Sequence, residues 1–255
     1  MRSAEYATLL RVEDAHWWYR QMRRVLRWHL ERFAPDWRER AILDAGCGTG
    51  GNLAQLEGRG RRVGLDYAPE ALAGCRTRGL PELVRGSVTA LPFADGSFGA
   101  VLSISVLYHE WVRDPAAALR ELRRVLAPGG LLLVDVPGYR SLTSPHDEAV
   151  MTARRFTAGE LRALVEASGF EVLRVTHWMS LLFPAIWLAR RLRVFATGRD
   201  FETTRPEPGG RNAAMDLLMR AEAALLRRVP LPIGVSIHCA ARRAPDPDSR
   251  ALPSR

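Results

Sequence analysis

The sequence predicts an α/β fold built on a mostly parallel sheet with crossover helices. Three observations predict it. Short apolar runs of buried-strand length alternate with helical stretches from residue 41 to 136. The first of these runs ends in a glycine-rich turn, Asp44-Ala-Gly-Cys-Gly-Thr-Gly-Gly-Asn52. The chain of 255 residues, 47% of them hydrophobic, is long enough for one such domain with a large core and added elements.

The expected strands are Ala41 to Asp44, Arg61 to Asp66, Glu82 to Gly86, Phe98 to Ser103 and Leu131 to Val136. Between them Pro69 to Arg78 and Pro115 to Leu126 read as helices. In the second, Ala118, Leu119, Leu122, Val125 and Leu126 form a core-facing stripe. Another helix is expected to begin near Asn52. Thr157 to Ser168 reads as a helix with Thr157 as N-cap, Glu160 closing a capping box and Gly169 ending it. Phe170 to His177 is then a strand and Ile233 to Ala240 another. Tyr6 to Phe33, centred on His16-Trp17-Trp18-Tyr19-Arg20, is aromatic-rich and helical. Between the last two strands stand a greasy helix (Leu181 to Phe195), a Pro/Gly-rich loop (Arg205 to Gly210) and a further helix (Asn212 to Arg228).

The glycine turn carries the chemistry. Gly46, Gly48 and Gly50 let its backbone press against a ligand. Read literally, Gly46, Gly48 and Gly51 also fit a dinucleotide fingerprint, with Asp66 placed for a ribose about 20 residues on. Asp44 argues against a pyrophosphate, since a carboxylate two residues before the first glycine repels it. The same carboxylate suits a ligand bringing an ammonium and a sulfonium. Here the chain resembles the class I S-adenosylmethionine (SAM)-dependent methyltransferases. Val63-Gly-Leu-Asp66 is similar to their second strand, Leu91-Pro-Phe93 with Asp95-Gly-Ser-Phe98 to their approach to strand four, and Arg124-Val-Leu-Ala-Pro-Gly-Gly-Leu131 to their turn into strand five. The His-Trp-Trp-Tyr-Arg segment resembles one found in the UbiE-like small-molecule group, where such a helix closes over the cofactor.

The resemblance implies a Rossmann-like seven-stranded sheet, mostly parallel with an antiparallel last strand and helices on both faces. It implies an N-terminal helical lid at 1–38, a SAM-binding core at 39–178, a helical insertion or acceptor cap at 179–232, the last core strand at 233–243 and a disordered tail at 244–255. SAM is the cofactor, with S-adenosyl-L-homocysteine as product, and no metal is required. The cofactor set it implies is Tyr19, Arg20, Asp44, Gly46, Cys47, Gly48, Gly50, Asn52, Asp66 for the ribose hydroxyls, Tyr67, Ser87, Val88 and Ser103. Two departures stand out: Ser87 occupies the place of an acid that often receives the adenine amino group, and Phe98-Gly99 replaces Phe-Asp.

A methyl on a sulfonium needs little chemical help beyond positioning and desolvation, although a hydroxyl or carbon acid still needs a base. His109 and Tyr108, after the fourth strand, are candidates, as are His146 on the loop after the fifth and Tyr19 on the lid. His16, Met179, Phe183, Ile186, Trp187 and Met215 are expected to line an apolar acceptor pocket. His29, His177 and His238 sit in apolar patterns and read as structural.

The formal net charge is +9, yet all 37 basic residues are arginine and spread along the chain. No basic stripe interleaved with aromatics points to nucleic acid. Cys47, Cys75 and Cys239 lack paired spacing, and the first residues carry no apolar signal region, so a reduced cytoplasm is expected. The run Trp178 to Ala189 is too short to span a bilayer. The expected partner is a small or lipid-like acceptor, with peripheral membrane contact allowed, in a monomer or homodimer. The leading reading is O- or C-methylation in specialised metabolism. The alternatives are a SAM-utilising enzyme that does not methylate, for instance by intramolecular cyclisation, and a non-catalytic SAM-binding module. A dinucleotide oxidoreductase is disfavoured, because a Tyr-x-x-x-Lys catalytic pair is impossible without lysine.

Overall fold

A computed structural model describes residues 3–56, 58, 60–192 and 209–244. Its elements are α1 (Ser3–Val12), α2 (Trp17–Phe33), β1 (Ile42–Ala45), β2 (Arg62–Asp66), α3 (Pro69–Thr77), β3 (Glu82–Arg85), β4 (Phe98–Ile104), α4 (Pro115–Val125), β5 (Leu126–Pro137), α5 (Pro145–Ala149), α6 (Ala158–Ala167), β6 (Phe170–Trp178), α7 (Phe183–Arg191), α8 (Gly209–Arg228) and β7 (Ser236–Arg243). The seven strands form one sheet in the order β3-β2-β1-β4-β5-β7-β6, in which only β7 runs antiparallel to its neighbours. The strand order reverses direction between β1 and β4, and a ligand crevice forms at the carboxyl ends beside such a switch point.

Alternation along the strands sorts side chains onto two faces. On one, Leu43, Val63, Val101, Leu132 and Val134 meet Leu119, Leu122 and Val125 of α4 and Leu161 and Val165 of α6. On the other, Ile42, Ala100, Leu102, Leu131 and Leu133 meet Trp17, Leu26 and Leu30 of α2 and Met219 and Leu226 of α8. Most of α2 is therefore a layer of the fold; only its first turns and α1 serve as a lid. Within the 1–38 segment expected as a helical lid, the apolar stripe of α2 has the sheet as its partner.

Several boundaries differ from expectation. The expected single N-terminal helix breaks at residues 13–16, where His16 is extended (φ −69, ψ 132) and its Nδ1 accepts from the Trp18 N–H. After the glycine turn only one 3-10 turn forms, Leu53–Gln55, because the glycine-rich 57–60 segment offers little helix propensity. β5 begins at Leu126, paired with Phe98. α7 starts at Phe183 with Pro184 in its first turn, where a fixed φ favours it. β7 begins at Ser236, since a Cβ at Gly234 would stand 2.4 Å from the Trp178 carbonyl oxygen. The capping box of Thr157 and Glu160 forms as expected. Phe195, most of the Arg205 to Gly210 loop and the tail lie outside the described residues.

The insertion is tied into the fold by polar groups on α8. Asn212 accepts from the Trp17 N–H (2.8 Å) and donates to the Ala15 carbonyl (3.0 Å), holding the start of α2. Glu222, fully buried, accepts from the N–H groups of Met179 (2.6 Å) and Leu181 (2.9 Å) where the chain leaves β6. Glu222→Ala strands both donors, so a loss of about 2–3 kcal/mol is expected in urea unfolding. A change within error would show that water replaces the carboxylate.

Candidate active site

The carboxyl ends of β1, β2, β4 and β5 open into a cavity of about 870 Å³ covered by α1 and the start of α2. Its cofactor end is the glycine turn. Gly48 (φ +54) faces open space, since a Cβ there would meet only Leu9 at 3.8 Å. Gly50 (φ +83) faces the other way, toward Leu80 and Cys75, so it serves packing against α3 and not ligand approach. Asp66 ends β2 and accepts from the N–H groups of Gly48 and Ala68, both at 2.9 Å. Burial raises its pKa while those two donors pull it back. Its carboxylate lines the cavity at the place expected for a pair of ribose hydroxyls.

Asp44 lies beneath the turn, fully buried, with neither carboxylate oxygen holding a well-formed hydrogen bond. Burial pushes its pKa up to about 7, with Asn52 beside it drawing it down and Asp66 and Glu13 adding to the rise. No cation is paired with Asp44 among the described residues. An open cradle at Gly48 above an unneutralised acid fits a ligand that brings positive charge.

Glu13, which the motifs did not mark, closes this end. Its carboxylate accepts from the Thr49 hydroxyl and from Arg78 (2.7 Å), and a Cβ at Gly51 would collide with its second oxygen. Arg78 also holds Asp14 (2.8 Å) and the Thr49 carbonyl (2.9 Å), while Arg23 donates to the carbonyl oxygens of Glu13 and Gly51. These charges bind the break between α1 and α2 to the glycine turn. No local motif signals them, because the partners lie on separate elements.

Cys47, Asn52, Tyr67, Ser87, Val88 and Tyr19 all line the cavity. The Ser87 hydroxyl is engaged with Thr89 (2.7 Å). Arg20 instead turns to Asp216 of α8 (3.5 Å), so it is not brought to the cofactor set. Ser103 is buried within β4 with an unpartnered hydroxyl; the next serine, Ser105, reaches the cavity, two residues on where the strand has ended.

At the acceptor end, His16, Tyr108, His109, Met179 and Ile186 line the cavity as expected. His109 Nδ1 accepts from the Trp111 N–H (3.2 Å), which leaves the proton of the neutral ring on Nε2. Burial lowers its pKa to about 4, so at pH 7 the ring is neutral. His16 is alike: its Nδ1 is occupied, its Nε2 unpartnered, and burial lowers its pKa to about 4. Burial and the charge of Asp135 push Tyr108 up to about 12, so it is a neutral phenol. Phe183 packs on Tyr139 (5.5 Å), Trp187 is 42% exposed on the outer side of α7, and Met215 joins the core below α2. None of these three reaches the cavity: α7 turns only its Ile186 and Arg190 side inward, and Met215 of α8 packs against the core. The side chain of His146 lies outside the described residues.

Two acceptor-end features escaped the motifs. Asp135 of β5 lines the cavity with its pKa pushed by burial up to about 7. Asp147 and Arg155 form a buried ion pair (2.7 Å) in the same wall. An Asp within an apolar strand was the one available signal for the first.

Residues 43–134 match the family model described as a methyltransferase domain. A protein of Mycolicibacterium smegmatis named as an S-adenosylmethionine-dependent methyltransferase is 33% identical over 170 residues, covering 65% of this chain and 63% of that protein. A chain of the Haloferax volcanii complex between the Trm112 methyltransferase activator and a methyltransferase superposes with a TM-score of 0.62 at 23% identity, covering 96% of this chain and 95% of that one. The [4+2]-cyclase SpnF superposes with a TM-score of 0.55 at 21% identity, covering 85% and 79%. The core is a class I SAM-dependent methyltransferase domain. The cofactor of this domain is S-adenosylmethionine. The match spans less than two thirds of the Mycolicibacterium relative. Among the described residues no helix of this chain is long and apolar enough to cross a membrane, and no cluster of His, Cys, Asp and Glu is arranged for a metal.

Asp66→Ala should weaken SAM binding by about 2–3 kcal/mol in calorimetry, the scale of lost charge-assisted hydrogen bonds; unchanged affinity would remove it from the ribose site. Asp44 gives a second expectation, with its sign fixed by a raised pKa. Its protonated form is favoured in the fold, so its stabilising effect is complete below the unfolded value of about 4 and is lost as pH rises through about 7. The stability of the cofactor-free protein should therefore fall between about pH 4 and 7, by up to a few kcal/mol. Asp44→Asn should flatten that slope, and an unaltered slope would assign it to other groups.

Proposed function

We propose that the protein transfers the methyl group of SAM to a small or lipid-like acceptor, by O- or C-methylation, in specialised metabolism. The observation that carries this reading is the continuity of one cavity: the glycine turn and Asp66 at one end run without a wall into Trp17, Trp18, Met179 and Ile186 at the other. SAM supplies an electrophilic methyl group on a positively charged sulfur. The chain's own residues orient and exclude water. Gly48 and Asp66 fix the ribose end, the buried acids favour the positive charge, and the aromatic lid keeps solvent from the acceptor. His16 presents an unpartnered ring nitrogen, Nε2, whose N–H can orient an acceptor oxygen.

A second reading, SAM use without methylation, is supported by the likeness to a [4+2]-cyclase of the same fold. Incubation with SAM, with and without a mixture of phenolic and lipid extracts, followed by mass spectrometry, separates the two. S-adenosylhomocysteine with a methylated product only when acceptor is present is the expected result; SAM breakdown without acceptor would support the second reading. Ile186→Ala should change which acceptors are methylated while SAM affinity in calorimetry stays the same. A matching loss of SAM binding would show that Ile186 serves only packing.

A further inference from the structure

Asp135 sits at the carboxyl end of β5, flanked by Ile104 of β4 and His238 of β7. It is 2% exposed, and what it does face is the acceptor end of the cavity. Its Oδ2 accepts from the Trp178 indole N–H (2.8 Å), and Trp178 is in turn fixed under Trp18 of the lid (ring centroids 5.3 Å). Its Oδ1 lies 3.5 Å from the Ser105 hydroxyl, at the limit of a hydrogen bond. Ser105 holds a left-handed backbone (φ +61) as the chain leaves β4, and its N–H donates to the Asp135 carbonyl (3.0 Å). The strained turn thus keeps the Ser105 side chain beside the acid, where a bound hydroxyl can join both.

Among the described residues no arginine is ion-paired with this acid. His238 Nε2 lies 3.8 Å from it, and burial holds that imidazole well below its usual range, so it stays neutral. Other titratable groups around it are Tyr108 after β4, pushed to about 12, and His29 of α2, stacked behind His238 at 5.5 Å and lowered to about 4, while Asp147 and Arg155 in the same wall are paired with each other (2.7 Å) and Arg190 lines the cavity from α7. Asp135, pushed by burial to about 7, is thus the one group of this set that changes charge near neutral pH. His109 and His16, by contrast, have their accepting nitrogens occupied by backbone N–H groups.

We propose that Asp135 is the base that receives the acceptor's proton, and that the acceptor is therefore a phenol or enol whose hydroxyl is acidic enough to exchange a proton with a carboxylate. This rests on the methyltransferase reading. The new bond joins the acceptor oxygen to the methyl carbon. The methyl–sulfur bond breaks with its electron pair left on sulfur, and the hydroxyl proton passes to an Asp135 oxygen. A sulfonium and a carboxylate become a neutral thioether and a neutral acid, so charge balances within the cavity. An aliphatic alcohol is too weak an acid for this base, whereas a phenol is close enough in acidity for transfer to be efficient.

Asp135→Asn tests the proposal, because the amide oxygen still accepts from Trp178 and the shape is kept. Catechol and pyridine serve as acceptors, the second having no proton to lose. With catechol the variant should fall by about 100-fold or more; with pyridine it should match the parent, and SAM affinity should not move. Equal losses with both acceptors would make Asp135 a structural residue and overturn the proposal. Independently of turnover, carbon-13 labelled aspartate in the S-adenosylhomocysteine complex should show one carboxyl, absent from the variant, that titrates near neutral pH and shifts when catechol is added. A carboxyl ionised down to pH 4, or indifferent to catechol, would also overturn it, whether or not either surrogate is methylated. Failure of the parent to bind SAM would instead remove the methyltransferase reading.

Discussion

The structure turns on acids that are buried at the carboxyl edge of the sheet without cations to match them. Asp44, Asp66 and Asp135 stand at or near the ends of β1, β2 and β5, while Glu13, which leans in from the lid, is the one acid here paired with an arginine. Buried carboxylates are costly unless paired, and each here is handled differently. Asp66 is satisfied by two backbone donors, Glu13 by Thr49 and Arg78, Asp135 by one indole, and Asp44 by no complete bond. Burial raises the pKa values of Asp44 and Asp66 at the cofactor end, and a sulfonium and an ammonium bring the positive charge that these two acids lack. A pyrophosphate would meet repulsion at the very turn where its glycine pattern invites it.

The lid depends on the insertion. Asn212 holds the first turn of α2, Asp216 takes Arg20 and Arg24, and Glu222 fixes the chain just after β6. From the other side Arg23 and Arg78 clamp the break between α1 and α2 onto the glycine turn. The aromatic segment is therefore held at both ends by charges on elements far away in sequence. Its rings are positioned over the cavity by those anchors and by the stacking of Trp18 on Trp178. Because Trp178 also holds Asp135, lid and acceptor floor share one contact.

Ionisable side chains at the acceptor end divide by environment. Histidines 16 and 109 are kept neutral by burial and turned into donors by backbone N–H groups that occupy Nδ1. Tyr108 is kept protonated by the same burial and by the acid beside it. Burial acts oppositely on an acid, and only the carboxyl of Asp135 is brought toward neutrality. Residue type alone pointed to the histidines; the surroundings favour the aspartate.

The local pattern determined the alternation of strands and helices, the glycine turn, Asp66 and the capping box of α6, because each is written in adjacent or regularly spaced residues. Hydrophobic period and turn chemistry act over a few positions and need no partner elsewhere. What only the tertiary structure decided involves contacts between distant segments or the phase of a strand end. Arg20 was lost to the cofactor set because Asp216 on α8 claims it, and Phe183, Trp187 and Met215 were lost to the acceptor pocket because the rotation of α7 and α8 is set by packing. Ser105 lines the cavity and Ser103 does not, because β4 ends after Ile104 and the chain turns there with positive φ. Glu13, Arg78 and Asp135 look like ordinary charges in the sequence. Folding gives them their roles by removing water from around them and bringing them to one crevice, and no spacing along the chain encodes that.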